Sequence, residues 1–283
     1  MTVKELKNHF VERLSALYPS EEIQSFFTLL SEAYLNLTRI QVTLEASKKL
    51  TSVEINQFKD AISRLEKHEP IQYIIGTTEF YGLTFEVNQH TLIPRPETEE
   101  LVEWILENSA SETSTTFSVL DIGTGSGCIA ISLAKNLATA KVSALDYSYE
   151  TLKTAEANAK KNRVRVHFYQ KDILKTASLP QQYDVIVSNP PYVRELEKLE
   201  MHHNVLDYEP ASALFVSNSD PLLFYRTIAR LSLRYLKPDG RLYFEINEYL
   251  SNELITSLQE EGYSSVELRK DFRGKDRMLQ CKK

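Results

Sequence analysis

Apolar residues recur at helical spacing through the first seventy positions, and polar start signals divide them into separate helices. Leu6, Phe10, Leu14 and Leu17 lie three or four apart, Thr2 and Glu5 stand where a capping box would open that helix, and Pro19 stops it. Ser20 then caps a helix carrying Ile23, Phe26, Phe27, Leu30 and Leu35, while Thr38 and Thr51 cap two more, the last running to about Glu66 before Pro70. Residues 1–70 therefore read as a small helical bundle. From Ile71 to Val87 the apolar period shortens to two, which predicts a β-hairpin turning near Gly82. The segment 71–95 becomes a hairpin and hinge: Ile93-Pro94-Arg95-Pro96-Glu97 is stiffened by its prolines, Pro96 opens a helix, and Glu97, Glu99 and Glu100 sit where the helix dipole favours acids.

Residues 96–283 alternate short apolar runs with helical patterns. After a polar tract, Ser109 to Thr116, read as a surface loop, strands are predicted at Phe117–Ile122, Val142–Asp146, Val164–Tyr169 and Tyr183–Val187, and a fifth at Arg241–Ile246. Helices at Asp220–Leu236 and Tyr249–Gln259 and two final runs, Ser265–Leu268 and Arg277–Cys281, complete the pattern. The prediction is an α/β domain with a seven-stranded, mostly parallel sheet and an antiparallel edge. Between Arg194 and Pro210 a long loop carries His202-His203, which have no ligand partners at metal spacing; no metal site is assigned.

Composition narrows the function. The chain of 283 residues is 42% hydrophobic and 25% charged, as in a soluble globular protein, and has no run long enough to span a bilayer. The polar start Met1-Thr2-Val3-Lys4-Glu5 is unlike a signal peptide. Two cysteines, Cys128 and Cys281, form no disulfide framework, which points to a reducing, cytoplasmic setting. A net charge of −6 argues against stable nucleic-acid binding and suits a basic protein partner.

The chemistry is concentrated at strand ends. Asp121-Ile122-Gly123-Thr124-Gly125-Ser126-Gly127 is a strand, a glycine turn and a helix start, where backbone can approach a ligand and helix N–H groups can take an anion. Its spacing, without a following Gly-Lys-Ser/Thr, disfavours NTPases and nicotinamide enzymes. Asp146 and Asp172, the latter followed by Ile173, close the next two strands; each alone could be a solvated turn, but successive acids on one sheet edge argue a ligand crevice. The run Tyr183–Val193 stops at Asn189-Pro190-Pro191-Tyr192. Prolines remove donors and leave acceptors, so the Asn189 side-chain oxygen and the Pro190 carbonyl can converge on a planar NH2 group, with the face of Tyr192 against it.

Asn-Pro-Pro-Tyr at the end of a buried strand resembles the signature of S-adenosylmethionine-dependent methyltransferases that act on planar NH2 nitrogens. That resemblance implies a Rossmann-like domain. The Gly123–Gly127 turn, with Thr124, Gly125 and Ser126, would then receive the methionyl carboxylate, Asp121 the ammonium, Asp146 the ribose hydroxyls, and Asp172 and Ile173 the adenine, with Asn189 shared between cofactor and substrate. With the Ile93–Leu101 hinge, Glu209-Pro210 and Asp276-Arg277 added, nearly the whole chain resembles the PrmC/HemK family. The resemblance implies N5-methylation of the glutamine in the Gly-Gly-Gln motif of class-1 peptide chain release factors by a monomer that touches no membrane. Asn189, Pro190 and Tyr192 would be catalytic, Asn189, Pro190, Pro191 and Tyr192 would bind substrate, and residues 1–70 would recognise the protein partner. A DNA or RNA exocyclic-amine methyltransferase, which uses the same four residues, is the alternative.

Overall fold

Thr2, Thr38 and Thr51 each start a helix by the same device. In each case the threonine hydroxyl accepts the backbone N–H three residues on, and the side chain of Glu5, Gln41 or Glu54 accepts the threonine N–H in return. The helices are α1 (Val3–Leu14), α2 (Ser20–Leu35), α3 (Arg39–Leu44) and α4 (Ser52–Leu65). Their apolar faces meet around Phe10, Phe27 and Phe58, all buried, with the Phe10 and Phe27 rings 5.4 Å apart in an edge-to-face contact. Two expectations fail locally. Ser20 is the first residue of α2, which starts after Pro19 without a side-chain cap. Leu17 lies beyond the end of α1 and is 43% exposed.

The structure is a computed structural model that describes residues 1–109 and 117–283, so residues 110–116 of the expected Ser109–Thr116 loop lie outside the described residues. The chain divides into two units: Met1–Gly76 with His202–Tyr208, and Thr77–Met201 with Glu209–Lys283. In the first unit the expected extended stretch at Tyr73-Ile74-Ile75 is instead a short helix, α5 (Ile71–Ile75). Pro70 precedes it and Gly76 ends it at φ +82°, a left-handed cap that glycine adopts without strain. The Arg64 guanidinium donates to the Tyr73 and Ile74 carbonyls that a helix end leaves unpaired. The His202–Tyr208 segment belongs to this unit, and the Tyr208 hydroxyl donates to the Lys67 carbonyl at 2.7 Å.

The second unit opens with the expected hairpin, β1 (Thr77–Phe80) and β2 (Leu83–Glu86). Tyr81 and Gly82 turn it with positive φ at both positions, the twist a two-residue hairpin needs. There follow α6 (Pro96–Ser109), β3 (Ser118–Ile122), α7 (Cys128–Asn136), β4 (Lys141–Asp146), α8 (Tyr149–Lys161), β5 (Val166–Gln170), β6 (Tyr183–Ser188) and β7 (Val193–Arg194). The segment read as a loop after Arg194 carries a 3-10 turn at Glu195–Glu200 and a short helix, α9 (His203–Leu206), which lies in the first unit. Then come α10 (Ala211–Leu214), β8 (Phe215–Val216), α11 (Leu223–Tyr235), β9 (Leu236–Glu245), α12 (Ser251–Glu260), β10 (Ser265–Lys270) and β11 (Asp276–Lys282).

Seven strands form one sheet in the order β10-β11-β9-β6-β3-β4-β5, parallel except where β11 pairs antiparallel with β9 and β10. Both faces are covered, so the central strands are apolar throughout: in β3, Leu120 and Ile122 face one core with α11 and α12, and Val119 faces the other with α6 and α7. The chain winds outward from β3 through β4 and β5, then returns to β6 on its other side. That reversal opens a crevice at the carboxyl ends of β3 and β6, where parallel sheets place ligands.

Candidate functional site

One cavity of about 500 Å³ lies at this sheet edge, wholly within the second unit. On one side is the glycine turn. Gly123 and Gly125 have φ of +75° and +55°, and a Cβ on either would meet open space; Gly127, at +84°, would drive a Cβ to 2.8 Å from Ile131 Cδ1. The first two thus keep backbone bare towards the cavity, and the third permits close packing at the start of α7. The Gly123 and Thr124 amides donate to the Leu145 carbonyl, and the Gly125 amide donates to Asp146 Oδ2 at 3.1 Å. Asp146 Oδ1 accepts the Ser148 amide at 3.0 Å, so this one carboxylate ties the glycine turn to the start of α8. Asn158, buried on α8, donates to the carbonyls of Ser126 and Glu86 and accepts the Glu86 amide, fastening the hairpin to the same turn.

Asp121 lies behind the glycine turn rather than among the cavity-lining residues and is fully buried. Its Oδ2 accepts the Thr124 hydroxyl at 2.6 Å, whereas Oδ1 has no partner. Burial pushes its carboxyl up to about 7, with the nearby Asp146 adding to the rise. An unpaired buried carboxylate oxygen is costly and calls for a cationic or N–H partner. An ammonium meets that demand, and Gly123 and Gly125 leave open space for a ligand to approach the turn, so the site fits the amino-acid end of S-adenosylmethionine. Asp172 and Ile173 line the far wall; the Asp172 carboxylate already accepts the Leu174 amide and pairs with Lys175. Cys128 also lines the cavity, and burial together with the nearby Asp121 pushes its thiol up to about 12.

The opposite side is the strand end at Asn189. Ser188, the last residue of β6, donates its hydroxyl to the Ile122 carbonyl at 2.7 Å, locking the ends of the two strands together. Asn189, Pro190 and Pro191 line the cavity. Tyr192 does not: its hydroxyl points into a buried network and donates to Glu245 Oε1 at 2.9 Å. The Tyr192 phenol is thus anchored at its hydroxyl, and burial and the Glu245 charge hold it protonated. Glu245, also buried, takes the Thr98 hydroxyl on Oε2 at 2.6 Å, and Asn189 Nδ2 lies 3.4 Å from that same hydroxyl. Asn247 holds the Tyr192 carbonyl at 3.0 Å.

Two segments singled out by sequence meet at the cavity mouth. Glu209 has a buried side chain whose Oε1 takes the Arg95 guanidinium at 2.6 Å and whose Oε2 takes the Ile93 amide at 3.1 Å. This ion pair fixes the Pro94–Pro96 hinge against the Glu209-Pro210 turn. Among the described residues, no group of three or more His, Cys, Asp and Glu side chains could hold a metal ion, and no helix is long and apolar enough to cross a membrane. His203 is exposed and lies 3.6 Å from Asp207.

A Rossmann-like sheet, a glycine turn with an orphaned acid behind it, and a strand-end Asn-Pro-Pro segment together define a methyltransferase. Residues 99–213 match the Methyltransferase small domain family, and residues 5–76 match the PrmC N-terminal domain. The chain is 50% identical to a release factor glutamine methyltransferase of Flavobacterium psychrophilum, over 99% of this chain and 98% of that one. It is 44% identical to the protein of the same description from Bacteroides thetaiotaomicron, over 95% of each. Among solved structures, the hMettl16 catalytic domain with an RNA hairpin aligns with a TM-score of 0.58 at 17% identity, covering 91% of this chain and 90% of that one, a likeness of fold alone. The chain belongs to the release factor glutamine methyltransferases.

Proposed function

We propose that the chain transfers a methyl group from S-adenosylmethionine to the side-chain amide nitrogen of the Gly-Gly-Gln glutamine in class-1 release factors, with Asn189 and the Pro190 carbonyl as the groups that hold that amide. The observation that carries this reading is the convergence, around one cavity, of Asn189-Pro190 with the bare glycine turn, Asp146 and Asp172, with Asp121 buried behind that turn. The cofactor supplies an activated methyl group on a sulfonium centre. The protein's task is the nucleophile. An amide nitrogen is weak because its lone pair is shared with its carbonyl, and two acceptors on its hydrogens orient it and stabilise the positive charge that grows as the new bond forms. Asn189 Oδ1 and the Pro190 carbonyl are such acceptors, and neither has to remove a proton beforehand.

Asp121 takes the cofactor ammonium, Gly123–Gly127 its carboxylate, Asp146 the ribose, and Asp172 with Ile173 the adenine. The helical unit recognises the release factor, and the enzyme works as a monomer in the cytoplasm, with neither nucleic acid nor membrane as a standing partner. The names of the relatives favour this substrate over an exocyclic base amine. Mass spectrometry of a purified release factor after incubation with enzyme and S-adenosylmethionine tests it: one added methyl group on the glutamine of the Gly-Gly-Gln peptide is expected. Methylation of an RNA or DNA oligonucleotide with none on the protein would overturn the reading.

A further inference from the structure

Three polar side chains far apart in sequence form a line that ends at the cavity wall: Glu245 at the end of β9, behind the cavity, and Thr98 in the first turn of α6 and Asn189 after β6, which both line it. We propose that Thr98, fixed by Glu245, is a positioning residue that decides which way the Asn189 amide faces. The inference rests on the reading of Asn189 as the acceptor for the substrate amide.

The argument is one of donors and acceptors. Both Glu245 side-chain oxygens are occupied as acceptors, Oε1 by the Tyr192 hydroxyl at 2.9 Å and Oε2 by the Thr98 hydroxyl at 2.6 Å. A threonine hydroxyl has one hydrogen. Once it points at Glu245, the side of Oγ1 towards Asn189 carries only lone pairs. The Asn189 amide can then set its NH2 against Thr98, the 3.4 Å contact seen, or turn over and set its oxygen there, lone pair against lone pair. The contact is long and holds little by itself, but it separates two orientations that are otherwise alike in shape. In the favoured one Oδ1 is free to accept a substrate N–H. In the other an NH2 faces a substrate NH2, and the site is inactive. Thr98 is 2% exposed and Glu245 1%, so water does not compete for the bond between them. The Tyr225 hydroxyl donates to the Glu245 backbone carbonyl at 3.1 Å, which fixes the strand end from which the carboxylate projects.

The test compares Thr98→Val, Thr98→Ser and Asn189→Ala in steady-state methylation of a release factor, with cofactor affinity by calorimetry and melting temperature as controls. Valine keeps the shape and removes the hydroxyl; serine keeps the hydroxyl. For Thr98→Val, kcat should fall about tenfold or more, while KM for the release factor and the cofactor Kd stay within about twofold, because only the orientation of a transition-state partner is lost. Thr98→Ser should restore most of the turnover. If the valine variant does not fold, because Glu245 Oε2 is left without a donor, Thr98→Ala, which leaves room for water at that oxygen, takes its place beside serine. A hydroxyl-free variant that folds and turns over at the wild-type rate, or a serine variant as slow as it, overturns the relay. Asn189→Ala at full rate would instead sink the reading of the site and the relay with it; Asn189→Ala slow with Thr98→Val normal removes the relay alone.

Discussion

The two sides of the cavity are built in different ways. The glycine side presents backbone to the cavity: the Gly123 and Thr124 amides hold the Leu145 carbonyl, and Asp146, Asp121 and Asn158 secure the turn from behind. The Asn189 side is held by side chains drawn from separate elements, the buried Thr98 and Glu245 and the partly buried Tyr192. A cradle of bare backbone flanked by several acids spreads the hold on a constant ligand over many groups. A side-chain relay sets the direction of one acceptor, and each of its members can be lost singly. Damage on the first side should therefore appear in cofactor affinity, and damage on the second in turnover.

The sharpest way to break this comparison is Asn189→Ala. Turnover should fall by roughly a hundredfold or more, as when a preorganised partner of the transition state is removed, while the cofactor Kd changes little. Single-turnover methylation with calorimetry on the same preparation decides it. A loss of cofactor affinity as large as the loss of rate would merge the two sides into one site, and a large drop in melting temperature with normal turnover would make Asn189 a strand-end cap.

This contrast also explains what could be read in advance. The glycine turn, the strand-end acids and Asn189-Pro190-Pro191 are local, since each lies within a few residues of the strand that positions it, and the sheet with its antiparallel edge follows from the spacing of apolar runs. Thr98 and Glu245 carry no local mark. A threonine in the first turn of a helix and a glutamate at the end of a strand are ordinary, and their 147-residue separation closes only when α6 packs beside β9. The anchor of Tyr192 is hidden from the sequence in the same way, because its partner Glu245 lies 53 residues on. The misreading at Ile71–Ile75 is of another kind: a five-residue apolar run between Pro70 and Gly76 suits a strand or a helix turn equally, and Arg64 on the preceding helix settles it by donating to the carbonyls at its end.

A smaller effect is expected on the glycine side. Asp121→Asn should weaken S-adenosylmethionine binding by about 1 to 3 kcal/mol, since an ammonium loses a charged acceptor, and should leave the turnover of saturated enzyme within a few-fold. Removing a buried charge with an unpaired oxygen should at the same time leave the melting temperature of the cofactor-free protein unchanged or higher at neutral pH. Calorimetry and a thermal melt read both. Unchanged affinity together with a fall in stability would make Asp121 a structural acid tied only to Thr124.

The smallest effect is a dependence on pH, and its sign follows from Asp121. Burial raises its folded-state carboxyl from the usual carboxylate range to about 7. The neutral form is the one the cofactor-free fold favours, so this group's contribution to stability is fully present below about pH 4 and is lost as pH rises through about 7. An ammonium placed against Oδ1 favours the charged form and lowers that value. Binding at pH 6 should therefore release close to one proton, and affinity should rise with pH towards 7, by at most about tenfold per unit, and level off above it. Calorimetry at pH 6 in buffers of different ionisation enthalpy counts the proton, and Asp121→Asn provides the control because the Asp146 carboxylate, raised by burial, borders the cavity. If the asparagine variant releases the same number of protons as the wild type, the coupling does not belong to Asp121, and the ammonium does not sit against it.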